Sequence, residues 1–174
     1  VDFHALGATT LAASAHKFGG PRGAGILLAK RSPAPAAVLT GGGQQRGIRP
    51  GTVDVATAVA TAAALKEAVS DMETERARLE TLRDRLVAEV LRTIPDASAT
   101  VLAHGVPTLP GHAHLMFPGA NGDAMIMLLD SMGIEASTGS ACNNGVNQRS
   151  HVLEAMGLPD DHVDGALRFT LGRT

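Results

Sequence analysis

The chain has 174 residues, 44% of them hydrophobic and 18% charged, a length of one domain or slightly more and a balance too apolar for disorder and too broken by charge for a membrane span. Lys and Arg number 15 against 17 Asp and Glu, a net charge of -2, so nothing electrostatic favours nucleic acid or an anionic membrane. Aromatic residues are only 2%, which argues against stacking surfaces for bases or sugars, and a single cysteine excludes an internal disulfide and a Cys-rich zinc site.

The first stretch, residues 1–52, is rich in Gly and in short β-type runs. Ala13-Ser14-Ala15 imitates a signal-peptidase site, but no basic segment precedes it, so it reads as strand interior. Thr9 to Ala13 and Gly25 to Ala29 are predicted as buried strands bounded by Gly and Pro. Between them runs Ser14-Ala15-His16-Lys17-Phe18-Gly19-Gly20-Pro21, and a second Gly-rich stretch spans residues 41–52. Asp54 is placed to cap an Ala-rich helix reaching about Val69. Ser70-Asp71-Met72-Glu73 fits a capping box for a second helix, whose apolar stripe is Leu79, Leu82, Leu86, Val90 and Ile94 and which Pro95 ends. Its charges, with pairs such as Glu80/Arg83 and Arg85/Glu89, read as a solvated helix face.

Beyond it, Thr100 to Ala103 and Ala113 to Phe117 read as strands and Asp123 to Met132 as a helix. Ile134 to Ala136 reads as a short strand, His151 to Met156 as a helix and Ala166 to Leu171 as a final strand. This βαβ-like order predicts a small α/β layer domain. Neither an internal repeat nor a low-complexity linker interrupts the chain.

Three residues stand out chemically. Lys17 lies at the end of an apolar strand, beside His16 and before a Gly-rich turn. Desolvation would make its amine a nucleophile for carbonyl compounds, and close backbone approach at the glycines suits a phosphate or a cofactor ring. On residue chemistry alone, a surface lysine at a strand end is the better reading. Gly20 to Gly25 has neither P-loop nor dinucleotide spacing. Cys142 sits in the small, polar stretch Ser137-Thr138-Gly139-Ser140-Ala141-Cys142-Asn143-Asn144. Such a thiol is accessible, and residue chemistry leaves it evenly divided between reactive and incidental. Arg168 alternates with Thr170 on one strand face, as a carboxylate fork or as a rim ion pair. His112 and His114 share a strand face, but no third ligand has a convincing spacing, so no metal site is assigned. Ser140 does not sit in a strained elbow, which removes a hydrolase reading.

Ser14-Ala15-His16-Lys17-Phe18-Gly19-Gly20-Pro21 resembles the pyridoxal-phosphate lysine motif of the cysteine desulfurases, a group within the class V aminotransferases. Residues 41–52, Phe117-Pro118-Gly119, the stretch Gly133 to Cys142, and Ser150 to Leu158 followed by Leu167 to Arg173 are similar to further motifs of that family, in the same order. The resemblance implies an α/β fold: the C-terminal portion of the fold-type I pyridoxal-phosphate transferase, or aspartate aminotransferase-like, fold. Residues 1–54 would be the end of the large cofactor-binding domain, 55–94 the connecting helices and 95–174 a small C-terminal domain with the sulfur-carrying loop.

By the same resemblance, the activity would be removal of sulfur from L-cysteine, giving L-alanine and a persulfide on Cys142 for iron–sulfur assembly or thiolation. Lys17 would hold pyridoxal 5'-phosphate as a Schiff base and move the α-proton, with His16 assisting. Ser14 would contact the cofactor phosphate, Thr52 would reach the phosphate of a neighbouring subunit in a homodimer, and Arg168 would bind the substrate carboxylate. A cytoplasmic location and an iron–sulfur scaffold as acceptor are implied, with no direct nucleic-acid or membrane partner. The alternatives are a selenocysteine lyase or another class V aminotransferase, or a catalytically incomplete fragment with an interaction role. The sequence departs from the family pattern at Gln45, Asp54, Asn143-Asn144 and Gln148-Arg149, the last where a proline is usual before Ser150. Family members are more than twice as long, and the groups that stack on the cofactor ring and pair with its pyridine nitrogen would precede Val1. The 174 residues alone are therefore expected not to turn over cysteine.

Overall fold

A computed structural model of the protein describes residues 2–100, 106, 108–138 and 149–173. The chain divides into two units, Val1–Met72 and Glu73–Thr174.

In the first unit, strands β1 (Thr10–Ser14) and β2 (Gly25–Ala29) form an antiparallel ribbon, in register from Thr10↔Ala29 to Ser14↔Gly25. Both were predicted as buried, yet their residues are half-buried or exposed throughout. A two-stranded ribbon has two faces to cover, and among the described residues of this unit only Ala15 and Thr61 are buried. Helix α1 (Val55–Ser70) begins where the sequence predicts: the Asp54 carboxylate accepts from the Thr57 backbone N–H at 3.0 Å. Thr61 is tolerated in the buried position because its hydroxyl donates to the Thr57 carbonyl at 2.8 Å.

In the second unit, helix α2 runs over Met72–Thr93. The predicted capping box is not formed, since Ser70 is the last residue of α1 and Asp71 caps that helix's C-terminus. The charge pairing also differs in detail. Arg76 bridges Glu73 and Glu80, Arg78 pairs with Glu75, Arg83 with Asp84 and Arg92 with Glu89. Leu82 and Ile94 of the predicted apolar stripe stand exposed, while Leu79, Leu86 and Val90 are half-buried.

A three-stranded antiparallel sheet follows, in the order β3 (Ser98–Ala99), β4 (His112–Met116), β5 (Ala166–Thr170). Helix α3 (Gly122–Ser131) and the short helices α4 (His151–Ala155) and α5 (Asp160–Asp164) lie between β4 and β5 in the chain. The element order therefore produces antiparallel pairing of β4 with β5, not a parallel βαβ unit. Of the strand predicted over Thr100 to Ala103, residues 101–103 lie outside the described residues, and Thr100 directly follows the two-residue β3 rather than belonging to it. Ile134 to Ala136 is not a strand; the contact with the sheet is a single bridge one residue later, Ser137↔Arg168.

The core is built on β4 and β5. Leu115 and Leu167 are register partners on one face, at 0% and 1% exposure. Met116 and Ala166 face the other way and pack with Leu153 of α4, Val163 of α5 and Leu158. Both faces of the sheet are thus covered at this level. The turn into β5 is tight: the Phe117 N–H donates to the Gly165 carbonyl at 3.0 Å, and a Cβ on Gly165 would overlap the Phe117 carbonyl.

Leu167→Ala is expected to cost about 2–5 kcal/mol through the cavity it leaves. Gly165→Ala should cost about 1–3 kcal/mol by overpacking. Denaturant unfolding followed by circular dichroism checks both, and an unchanged midpoint in Leu167→Ala would contradict this account of the core.

Candidate active site

The lysine of the first unit owes its position to backbone geometry. Between β1 and β2 the chain makes a 3-10 turn, Ala15–Phe18, closed by the Ala15 N–H on the Ala24 carbonyl (3.0 Å) and the Gly20 N–H on the Ala15 carbonyl (2.9 Å). Gly19 ends the turn with φ of 84°, a left-handed conformation that favours glycine. Gly20 lies so close to Ala15 that a Cβ on it would sit 2.9 Å from the Ala15 Cβ. Ala15 is buried and anchors the turn, which leaves His16 and Lys17 exposed at its tip with Ser14 exposed beside them. Among the described residues, neither His16 nor Lys17 has a hydrogen-bond or ion-pair partner in its side chain. Helix α1 packs against this same turn.

Thr52 lies elsewhere in the unit, exposed, after a loop that closes on itself. In that loop the Gly51 N–H donates to Gln44 Oε1 at 3.3 Å, and Gly41 lies against Pro50. The backbone passes through left-handed conformations at Gln45, Arg46 and Gly47. Ser14, His16 and Lys17 are thus gathered on one turn, with Thr52 on a separate loop of the same unit.

In the second unit, Arg168 occupies the middle of β5, half-buried, directly opposite His114 of β4. On its other side its backbone exchanges two hydrogen bonds with Ser137, at 2.6 and 3.1 Å. The sequence places His114 only as a same-face partner of His112. The register reveals more: it shares a sheet face with Arg168, and its Nδ1 lies 2.6 Å from the Thr100 hydroxyl. Burial, with Arg168 as the second cause, holds the His114 imidazole below its ordinary pKa and so favours its neutral form. The alternation around His114 was the available signal, but only pairing across strands shows which residue it meets. Cys142 falls outside the described residues.

These groups suit a lysine-bound aldehyde cofactor carrying a phosphate. The Lys17 amine stands exposed at the tip of the 3-10 turn, and hydroxyls at Ser14 and Thr52 are exposed in the same unit.

The family profile of class V aminotransferases matches residues 1–173. The chain belongs to that family. It is 49% identical over 174 residues to the IscS-like cysteine desulfurase of Mycobacterium tuberculosis, covering 100% of this chain and 44% of the relative. It is 38% identical over 160 residues to the cysteine desulfurase NifS of Azotobacter vinelandii, covering 91% and 39%. Among solved structures, a NifS-like protein superposes with a TM-score of 0.81 at 30% identity, over 98% of this chain and 42% of that one. The chain therefore spans less than half the length of the curated relatives it matches. The mixed α/β architecture is that of a part of the pyridoxal-phosphate enzymes of this family. No helix among the described residues is long and apolar enough to cross a membrane.

The His114 environment has a pH signature. With the folded pKa held below the ordinary histidine value, the unfolded state binds more protons in the window beneath that ordinary value, so stability falls as pH drops through it. His114→Asn should flatten that loss while leaving stability above pH 7 nearly unchanged. Thermal midpoints measured from pH 7.5 to 5 check this, and equal acid sensitivity in both proteins would refute it.

Proposed function

We propose that the protein works as a pyridoxal-phosphate-dependent cysteine desulfurase. The observation that carries this reading is the Ala15–Phe18 turn, which presents Lys17 as an exposed amine beside exposed His16, with exposed Ser14 just before the turn, in a chain 49% identical to a cysteine desulfurase. Lys17 would hold the cofactor, Ser14 and His16 would flank it, and Thr52 would contribute a hydroxyl to a phosphate across a homodimer interface. When bound, pyridoxal phosphate supplies the electron sink for chemistry at the substrate α-carbon. Residues 1–54 would serve as the cofactor-bearing part, 55–94 as connecting helices and 95–174 as the small domain.

In this reading Arg168 binds and orients the L-cysteine carboxylate, and neutral His114 beside it adds no competing positive charge. The Lys17 Nζ takes the α-proton of the substrate and later returns one, with His16 assisting. The Cys142 thiolate attacks the substrate sulfur. The carbon–sulfur bond of L-cysteine breaks, a sulfur–sulfur bond forms on Cys142, and L-alanine leaves. The resulting persulfide would pass to an iron–sulfur scaffold or thiolating enzyme in the cytoplasm. Ser137 ties the start of the chain leading to Cys142 to Arg168.

In the full-length protein, Lys17→Ala should abolish the visible absorbance of lysine-bound cofactor. Cys142→Ser should keep that absorbance and lose sulfur transfer at least a hundredfold. Undiminished sulfur transfer in Cys142→Ser would refute the persulfide role.

Arg168→Lys should raise KM for L-cysteine about tenfold or more, because a lysine cannot make the bidentate contact. Steady-state alanine production measures it, and an unchanged KM would remove Arg168 from substrate binding.

A further inference from the structure

Four polar residues form a row across the sheet of the second unit. Thr100 directly follows β3, and its backbone N–H donates to the His114 carbonyl at 3.1 Å. His114 of β4 is the register partner of Arg168 in β5, and Arg168 bridges in turn to Ser137. Residues opposite one another across antiparallel lines share a face. Thr100, His114, Arg168 and Ser137 therefore stand side by side, and all four are half-buried. The row marks the boundary between core and solvent on that face. Towards one end the next pair is Met116 and Ala166, buried with Leu153 and Val163. Towards the other it is His112 and Thr170, both exposed.

Within the row, the His114 ring is fixed and Arg168 is its neighbour. The Thr100 hydroxyl lies 2.6 Å from His114 Nδ1, so main chain and side chain both tie these two residues. The Arg168 charge acts on the ring through space, second only to burial in lowering its pKa. The sheet does not need this polar pair, because Leu115 and Leu167 already hold the register, and an apolar pair of similar shape would serve the sheet about as well. An arginine gains more from such a neighbour. Its long side chain must give up rotamer freedom to grip a carboxylate, and a side chain already held on its flanks gives up less. We propose that His114 is a positioning residue for Arg168, with the Thr100 hydroxyl fixing the ring against which the guanidinium is set. The consequence for L-cysteine binding rests on the desulfurase reading; the effect on the guanidinium rests on the row alone.

The test uses the full-length, cofactor-loaded protein with His114→Leu, His114→Asn, Thr100→Val and Thr100→Ser. In His114→Leu and Thr100→Val the KM for L-cysteine should rise about fivefold, the scale of a cross-strand pair. Their kcat should stay within about twofold, because a carboxylate contact is made equally before and during reaction. His114→Asn places an amide where Nδ1 stands and Thr100→Ser keeps the hydroxyl, so both should recover most of the KM. Adding His114→Leu to Arg168→Lys should raise KM no further than Arg168→Lys alone. Independently of turnover, modification of Arg168 by phenylglyoxal in substrate-free protein, mapped by mass spectrometry, should quicken about threefold in His114→Leu and Thr100→Val but not in His114→Asn. KM and modification rates within about twofold of the parent in both His114→Leu and Thr100→Val would overturn the proposal. So would an additive rise in the Arg168→Lys combination, or equal changes in all four variants that track a lowered thermal midpoint, the mark of a purely structural pair. If Arg168→Lys leaves the KM unchanged, the desulfurase reading of Arg168 fails, and the phenylglyoxal rates alone decide whether His114 positions the guanidinium.

Discussion

The pairing of β4 with β5 sets where almost every polar group of interest in the second unit can be. The register that brings Leu115 opposite Leu167 also brings His114 opposite Arg168, because residues facing each other across an antiparallel ladder share a sheet face. The apolar pair is fully buried, so a slip by one residue would turn Leu167 outward and Arg168 into the core at a large cost. Hydrophobic burial thereby holds the position of a guanidinium that it never touches. The Ser137 bridge adds a third backbone line beside Arg168, and the Thr100 hydroxyl steadies His114 from the opposite side.

The first unit works by different means. Its described residues bury only Ala15 and Thr61, and Val55, Val59 and Val69 of α1 remain exposed. Lys17 is therefore held by a closed 3-10 turn, a left-handed glycine and one buried alanine rather than by a packed core. Such a turn fixes the backbone at Lys17 while its amine stays exposed. The turn is short enough that the residues required at each point, small at Ala15 and without a side chain at Gly19 and Gly20, are all visible in the motif itself.

Local signals carried well into the structure. Asp54 caps α1 as its side chain predicts, Pro95 closes α2, and the strand, helix and final strand at 112–170 lie within a residue or two of their predicted bounds. Signals that depend on competition between neighbours did not carry. Ser70 could begin one helix or end another, and α1 continues through it. Glu80 could pair at either of two helical spacings, and Arg76 takes it rather than Arg83. Helix α5 was not predicted at all, since Asp160-Asp161-His162-Val163-Asp164 has a single apolar residue and no periodicity to display.

By itself the sequence determined the chemistry available: one lysine in a glycine-bounded turn, one cysteine in a small polar stretch and one arginine in an alternating strand. Those are local properties, written in residue type and spacing over a few positions. Only the tertiary structure decided which distant groups meet. The antiparallel register that sets His114 against Arg168, the Ser137 bridge and the clamp of Arg149 on Asp160 and Asp164 join residues 11 to 54 positions apart. Which partners such residues meet depends on how helices and strands pack around Leu115 and Leu167, and that packing is a property of the whole unit.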